Sequence, residues 1–280
     1  MRELTFERIA TGVKELCVEA AYQLPADVVQ ALEDYRDREE SPIGKKVLGE
    51  LVENARIAAA GEYPLCQDCG FAVFIVELGN DVHVTGGSLA DAVTEGVRRG
   101  YGEGYLRKSI VVHPVVGKNT GDNTPPVIHV VPTAGDKLVI HFAPKGGGSE
   151  NMSRLKMMRP ADGREGIIAF VEETVREAGS NPCPPLVVGV GIGGTFEYCA
   201  FLAKKALFRP LGQPARDEWD AALEKELLER INRLGIGPMG YGGTTTALAV
   251  HVESFGRHIA SFPCAVNINC HSARHKTAVL

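Results

Sequence analysis

The chain has 280 residues, 44% apolar and 23% charged, with a formal net charge of −5. That length can bury a substantial core, and the charge offers no basic field or Lys/Arg run to hold a nucleic acid. The apolar stretches are too short to span a bilayer, and Met1–Arg8 mixes both charge signs without the apolar core of a signal peptide.

The first sixty residues read as helices. Leu4, Ile9, Val13, Leu16, Cys17 and Ala20 recur at helical spacing up to Pro25. A second stretch runs from Ala26 to Glu40. Ser41-Pro42 then has the form of an N-cap followed by proline at the first helical position, opening a helix to about Ala60. From Phe71 the period changes to short β-rich runs: Phe71–Leu78, Asp81–Thr85, Ser109–Val116, Val127–Pro132 and Lys137–Pro144. A helical segment, Leu89 to about Arg99, interrupts them. Farther on come a helix over Gly163–Ala178, a strand at Leu186–Val190 and helices at Thr195–Leu207 and Asp217–Leu234. Strands at Thr244–Glu253 and Ala260–Ile268 precede a solvated tail, Ser272–Leu280. Strict βαβ alternation is absent, so the expected class is α+β: N-terminal helices, then mixed or antiparallel sheets with packed helices. Residues 1–280 are read as one catalytic domain.

Three cysteines stand far apart, each in a turn-forming context. They are Cys66 in Pro-Leu-Cys-Gln-Asp-Cys-Gly, Cys183 in Asn-Pro-Cys-Pro-Pro, and Cys270 in Asn-Ile-Asn-Cys-His. Proline, glycine and asparagine hold such turns and bring backbone close to a ligand. Three thiolates without a matching fourth suggest a centre that keeps one metal position open, as a catalytic metal requires. Seven cysteines, odd in number and without a visible secretion signal, favour thiols and metal ligands over disulfides, and a reducing cytoplasm.

Five blocks in one order resemble the α subunit of the iron–sulfur hydro-lyases, the family of class I fumarase and L-tartrate dehydratase. They are Cys66-Gln67-Asp68, Lys118–Asn123, Lys145–Asn151, Cys183-Pro184-Pro185 followed by a Gly-Ile-Gly-Gly run, and Asn267–His271. The resemblance covers almost the whole chain. It implies a four-iron, four-sulfur (4Fe-4S) cluster held by Cys66, Cys183 and Cys270, with the fourth iron facing substrate. It also implies substrate contacts from Gln67, Arg107 and Gly147, and proton transfer by Asp68 and His258. The family usually has threonine where this chain has Cys69.

The implied activity is reversible hydration of fumarate to malate, with L-tartrate dehydration as the alternative substrate reading. The chain ends soon after the third cysteine block, so a separate β subunit and an α2β2 assembly are expected. Two other readings stay open. Gly189-Val-Gly191-Ile-Gly193-Gly194 satisfies the dinucleotide pattern of an NAD-dependent oxidoreductase, and Cys66-x-x-Cys69 has the spacing of a zinc site or redox pair. Cys17, Cys199 and Cys264 are expected in the core. His271 and His275 flank Cys270 and are available as ligands.

Overall fold

The computed structural model describes residues 1–280 and gives an α+β chain. In order, the elements are β1 (Arg2–Thr5), α1 (Phe6–Tyr22), α2 (Ala26–Arg38), α3 (Pro42–Ala59), β2 (Phe71–Gly79), β3 (Val82–Thr85) and α4 (Leu89–Glu103). β4 (Val127–Thr133), β5 (Leu138–Lys145), α5 (Gly147–Glu150), β6 (Arg154–Met158), α6 (Gly163–Ala178), β7 (Leu186–Gly194) and α7 (Phe196–Ala206) follow. α8 (Glu218–Asn232), β8 (Ala247–Arg257), β9 (Phe262–Asn269) and β10 (Lys276–Val279) complete the chain. The chain divides into two compact units: residues 1–25, 55–147 and 274–280 form the first, and residues 26–54 and 148–273 the second. No helix is long and apolar enough to cross a membrane.

The first unit is built on a mixed sheet of order β10-β5-β2-β4, with β2 antiparallel to β5 and parallel to β4. Alternate residues of β2 (Ala72, Phe74, Val76) and β5 (Leu138, Ile140, Phe142) are buried in one core with α1 and α4. Glycine lets those two helices approach. A Cβ on Gly96 would stand 2.5 Å from Val13 Cβ, and one on Gly100 2.7 Å from Cys17 Cβ. Thr5 caps α1 and Ser88 caps α4 through their hydroxyls.

The second unit carries the sheet β6-β9-β7-β8, in which β7 pairs antiparallel with β9 and parallel with β8. Leu186, Val188 and Val190 of β7 enter a core shared with α6 and α8. The intervening residues, Gly189 and Gly191, face α7. A Cβ on either would stand 2.1 Å from Ala203 O or 2.0 Å from Cys199 O. The glycine run that matches a dinucleotide fingerprint is thus strand interior serving close helix packing, and no phosphate-cradling turn follows Val190.

Three expectations are corrected. Ser109–Val116 is no strand but an arm closed by the Val111–Asn119 bridge and the Val112 N–H to Lys118 O bond at 2.8 Å; Pro114 cannot donate to a ladder. Residues 276–279 are no solvated tail: they pair antiparallel with β5. The region before Phe6 opens as β1, paired with β3, and α1 begins only at Phe6. β6 was not foreseen; it adds antiparallel to β9.

One buried carboxylate in the second unit has a measurable stability role. Glu39, 3% exposed, accepts from the N–H groups of Ser41, Thr244 and Thr245 and from the Thr244 hydroxyl. Burial pushes its pKa up, but the hydrogen bonds from Thr245, Ser41 and Thr244 together outweigh this and leave it below the ordinary value. A depressed carboxylate stabilises the fold above its unfolded pKa and loses that contribution as pH falls through the lower folded value. Glu39→Ala should therefore destabilise by about 2–4 kcal/mol at neutral pH, because four donors lose one charged acceptor. The deficit should shrink in acid below about pH 4, which urea melts at several pH values will read.

Candidate functional site

Five of the eight residues singled out in the sequence come together in the first unit. Gly70, at φ +75°, makes the sharp entry into β2; a Cβ there would stand 2.7 Å from Pro144 C. That turn presents Cys66, Gln67 and Asp68 just ahead of the sheet. Asp68 Oδ1 accepts from Gly70 N–H and Oδ2 from Gly147 N–H, both at 2.9 Å, so backbone at two points fixes the carboxylate plane. Cys66 Sγ accepts from Asp68 N–H at 3.4 Å and lies as close to Gln67 Oε1. Arg107 has an exposed side chain, and its N–H donates to Cys69 Sγ at 3.2 Å.

Behind this turn stand residues to which the sequence reading gave no role. Tyr101, fully buried, donates to Cys69 O at 2.7 Å, and Asn123 Nδ2 donates to Gly70 O at 3.2 Å. Asn123 Oδ1 accepts from Ser109 N–H at 2.7 Å, tying in the arm that follows Arg107. Arg274 Nη2 donates to Asp68 O. Cys69 is 4% exposed, and burial raises its thiol pKa. A buried, protonated sulfur accepting a backbone N–H suits a structural role better than a redox partner for Cys66.

The second unit brings Cys183 and Cys270 together: His271 N–H donates to Cys183 O at 3.2 Å. Cys183 holds φ +55°, rare for a residue with a Cβ, and such strain concentrates at functional sites. The loop Gly235–Gly243, also missed, supports it. Met239 N–H donates to Pro184 O at 2.7 Å, and Gly240 packs where a Cβ would stand 2.4 Å from Ser180 Cβ. Five glycines and a proline in nine residues were the available signal. Asn267 Nδ2 donates to Glu150 Oε2 (3.1 Å) and Ser153 Oγ (2.8 Å), linking the glycine-rich 145–151 block to the strand that leads into Cys270. Lys204 Nζ binds both oxygens of Glu150.

His258 is not brought to these cysteines. Antiparallel pairing sets Val187 against Asn269, so Cys183 and Cys270 flank one end of the sheet. Parallel pairing sets Gly194 against Arg257, so His258 lies at the other end. Seven strand steps from Phe262 to Asn269, plus the flanking residues, put His258 about 25 Å from Cys270. There its Nδ1 accepts from Ala260 N–H at 3.2 Å, so a neutral ring carries its proton on Nε2. It lines a pocket of about 640 Å³ with Met157, Phe196, Tyr198 and Phe255. Phe196, Phe255 and Ile259 are exposed around it.

The thiols fall into two classes. Cys66, Cys183 and Cys270 are partly exposed, whereas Cys17, Cys69, Cys199 and Cys264 are buried. Burial pushes the Cys264 thiol up to about 12 and the Cys17 thiol higher still. Only the first three are thus both reachable and set in turns, the donor set that soft iron or an iron–sulfur cluster takes.

A fold with two α+β sheets and reachable, turn-held thiols at distant points of the chain has a counterpart among known proteins. The family model "Fumarate hydratase (Fumerase)" matches residues 10–279. The chain is 45% identical over 273 residues to the "Putative L(+)-tartrate dehydratase subunit alpha" of Methanocaldococcus jannaschii, covering 95% of each. It is 34% identical over 261 residues to the "L(+)-tartrate dehydratase subunit alpha" of Escherichia coli K12, covering 92% of this chain and 86% of that one. The chain belongs to the fumarate hydratase family and is a hydro-lyase.

Proposed function

We propose that residues 1–280 form one catalytic α subunit that removes water reversibly from a four-carbon 2-hydroxydicarboxylate, malate to fumarate, in partnership with a β subunit. The observation that carries this reading is the exposure of three cysteines, in the three family blocks, against the burial of the other four. Cys66, Cys183 and Cys270 would hold a 4Fe-4S cluster. Such a cluster supplies, when bound, a Lewis-acidic iron that helps hydroxide leave. Arg107, exposed and with a planar fork, pairs with a substrate carboxylate. Gln67 adds an amide contact, and Gly147 lets backbone approach where a side chain would intrude. Asp68 moves the proton at the neighbouring carbon; its two backbone donors leave lone pairs on both oxygens for that work.

His258 enters this scheme from a second copy. At about 25 Å from Cys270 of its own chain it cannot share a substrate with that residue. An α2β2 assembly that seats the exposed Phe196–Phe255–Ile259 surface on a second α subunit would deliver it in trans. The names of the relatives favour a second substrate reading, L-tartrate, because both are called tartrate dehydratase α subunits. Anaerobic co-expression with a β subunit, followed by assays on malate, fumarate and L-tartrate, tests the reading. Turnover of at least one of them is expected. No turnover of any, with iron and sulfide bound, defeats it.

A further inference from the structure

The turn that carries His258 is built around a single arginine. β8 ends at Arg257, β9 begins at Phe262, and β7 lies between them in the sheet. His258–Ser261 must therefore cross the end of β7 through two strand spacings, about 9.5 Å. The β7–β8 ladder stops at the Gly194–Arg257 pair, so carbonyls beyond it have no strand partner. Arg257 Nη1 serves them instead, donating to His258 O at 3.1 Å, Ile259 O at 2.9 Å and Ser261 O at 3.0 Å. Its guanidinium carbon stands 4.9 Å from the centre of the Phe262 ring, a cation–aromatic contact that braces the side chain. A register shift between Gly193 and Gly194 leaves Gly256 unpaired just before Arg257, a bulge of the kind that re-aims a side chain. Arg154, Arg159, Arg164, Arg209 and Arg230 of the same unit each bind a carboxylate. The hydrogen bonds of Arg257 all go to this one turn.

The same turn fixes the imidazole. Ser261 N–H donates back to His258 O at 3.0 Å, and Ala260 N–H donates to His258 Nδ1 at 3.2 Å. The ring is thus held by a donor inside the turn, and the turn is held by the guanidinium. Without Arg257 three carbonyls lose their common donor, and the Ala260 N–H that pins Nδ1 is released with them. The turn is exposed and adds little to the core; what it fixes is one ring in the wall of the pocket shared with Tyr198 and Phe255. We propose that Arg257 is the positioning residue of His258: one nitrogen at the focus of three carbonyls holds the turn that sets the imidazole's tautomer and orientation. This rests on the reading of His258 as a proton-transfer residue. It assigns a role to a residue outside the five family blocks.

The test uses the full chain co-expressed anaerobically with a β subunit, as wild type, Arg257→Met, Arg257→Lys and His258→Ala. Arg257→Met should lower kcat about 10- to 100-fold, the cost of a misplaced catalytic group, with KM and iron content unchanged. Arg257→Lys should recover most of that loss, because an ammonium brings three donors to the point that one nitrogen serves. With isotope-labelled histidine, NMR reads the ring directly, the His258 signal being the one that His258→Ala lacks. It should show the Nε2–H tautomer in wild type and averaging between tautomers in Arg257→Met. Arg257→Met and His258→Ala placed on separate chains should not restore one another, since both defects lie in one turn; recovery overturns the proposal. An unchanged kcat in Arg257→Met beside an inactive His258→Ala overturns the inference alone. So does a raised KM with unchanged kcat, which makes Arg257 a substrate contact. An unchanged ring signal with a lower melting temperature makes Arg257 merely structural and overturns it too. A fully active His258→Ala removes the proton-transfer reading of His258 and the inference with it.

Discussion

Exchange of Asp68 for asparagine is expected to lower kcat by about 10²- to 10⁴-fold, the range typical of a lost general base or acid, with iron content unchanged. The carboxylate has two acceptor oxygens, and each already receives one backbone N–H. Asparagine keeps one acceptor and turns an NH2 donor toward the other N–H, so Gly70 or Gly147 loses its partner. A stability loss of about 1–3 kcal/mol should therefore accompany the variant. Melting it alongside the assay separates the two effects: a kinetic loss at temperatures where the variant is fully folded belongs to proton transfer. A kcat within tenfold of wild type, with iron bound, would remove Asp68 from the chemistry.

The second large effect concerns His258. His258→Ala should lower kcat by a similar factor, about 10²- to 10⁴-fold, if the ring moves a proton. Its position at the far end of the β7–β8–β9 sheet adds a sharper expectation. Two inactive α variants, Asp68→Asn and His258→Ala, co-expressed with β, should regain about a quarter of wild-type activity. Half of the random pairs are mixed, and each mixed pair has one complete site. Recovery of nothing, with mixed pairs confirmed by mass spectrometry, would place His258 outside the second copy's site.

Much of the fold was legible because its elements carry local signals. Ser41-Pro42 does open a helix, with the Ser41 hydroxyl accepting from Gly44 N–H at 3.2 Å. β5 alternates cleanly, β2 is a continuous apolar run, and Asp217 caps the first turn of α8 with its carboxylate. What failed was decided by distant partners. Lys276–Val279 reads as a tail because its few apolar residues say nothing of the β5 edge it joins. Val111, Val112, Val115 and Val116 have high β propensity, yet no second strand lies beside them and all four are exposed. Turn residues exposed the cysteine blocks, since proline, glycine and asparagine beside a thiol are visible in one dimension. Asn123 closes the Lys118–Asn123 block, though its partner did not show there, and Tyr101, Glu39 and Arg274 were not visible in that way. Each acts on a loop 31 to 206 residues away, and a lone buried polar residue has no sequence signature.

Iron and acid-labile sulfide, counted in anaerobically prepared chain, probe the shared-cluster assignment most directly. Serine at 66, 183 or 270 should each cost the protein its iron and its brown absorbance, while serine at 17, 199 or 264 should leave both in place. Full iron in any one of the first three variants would contradict it.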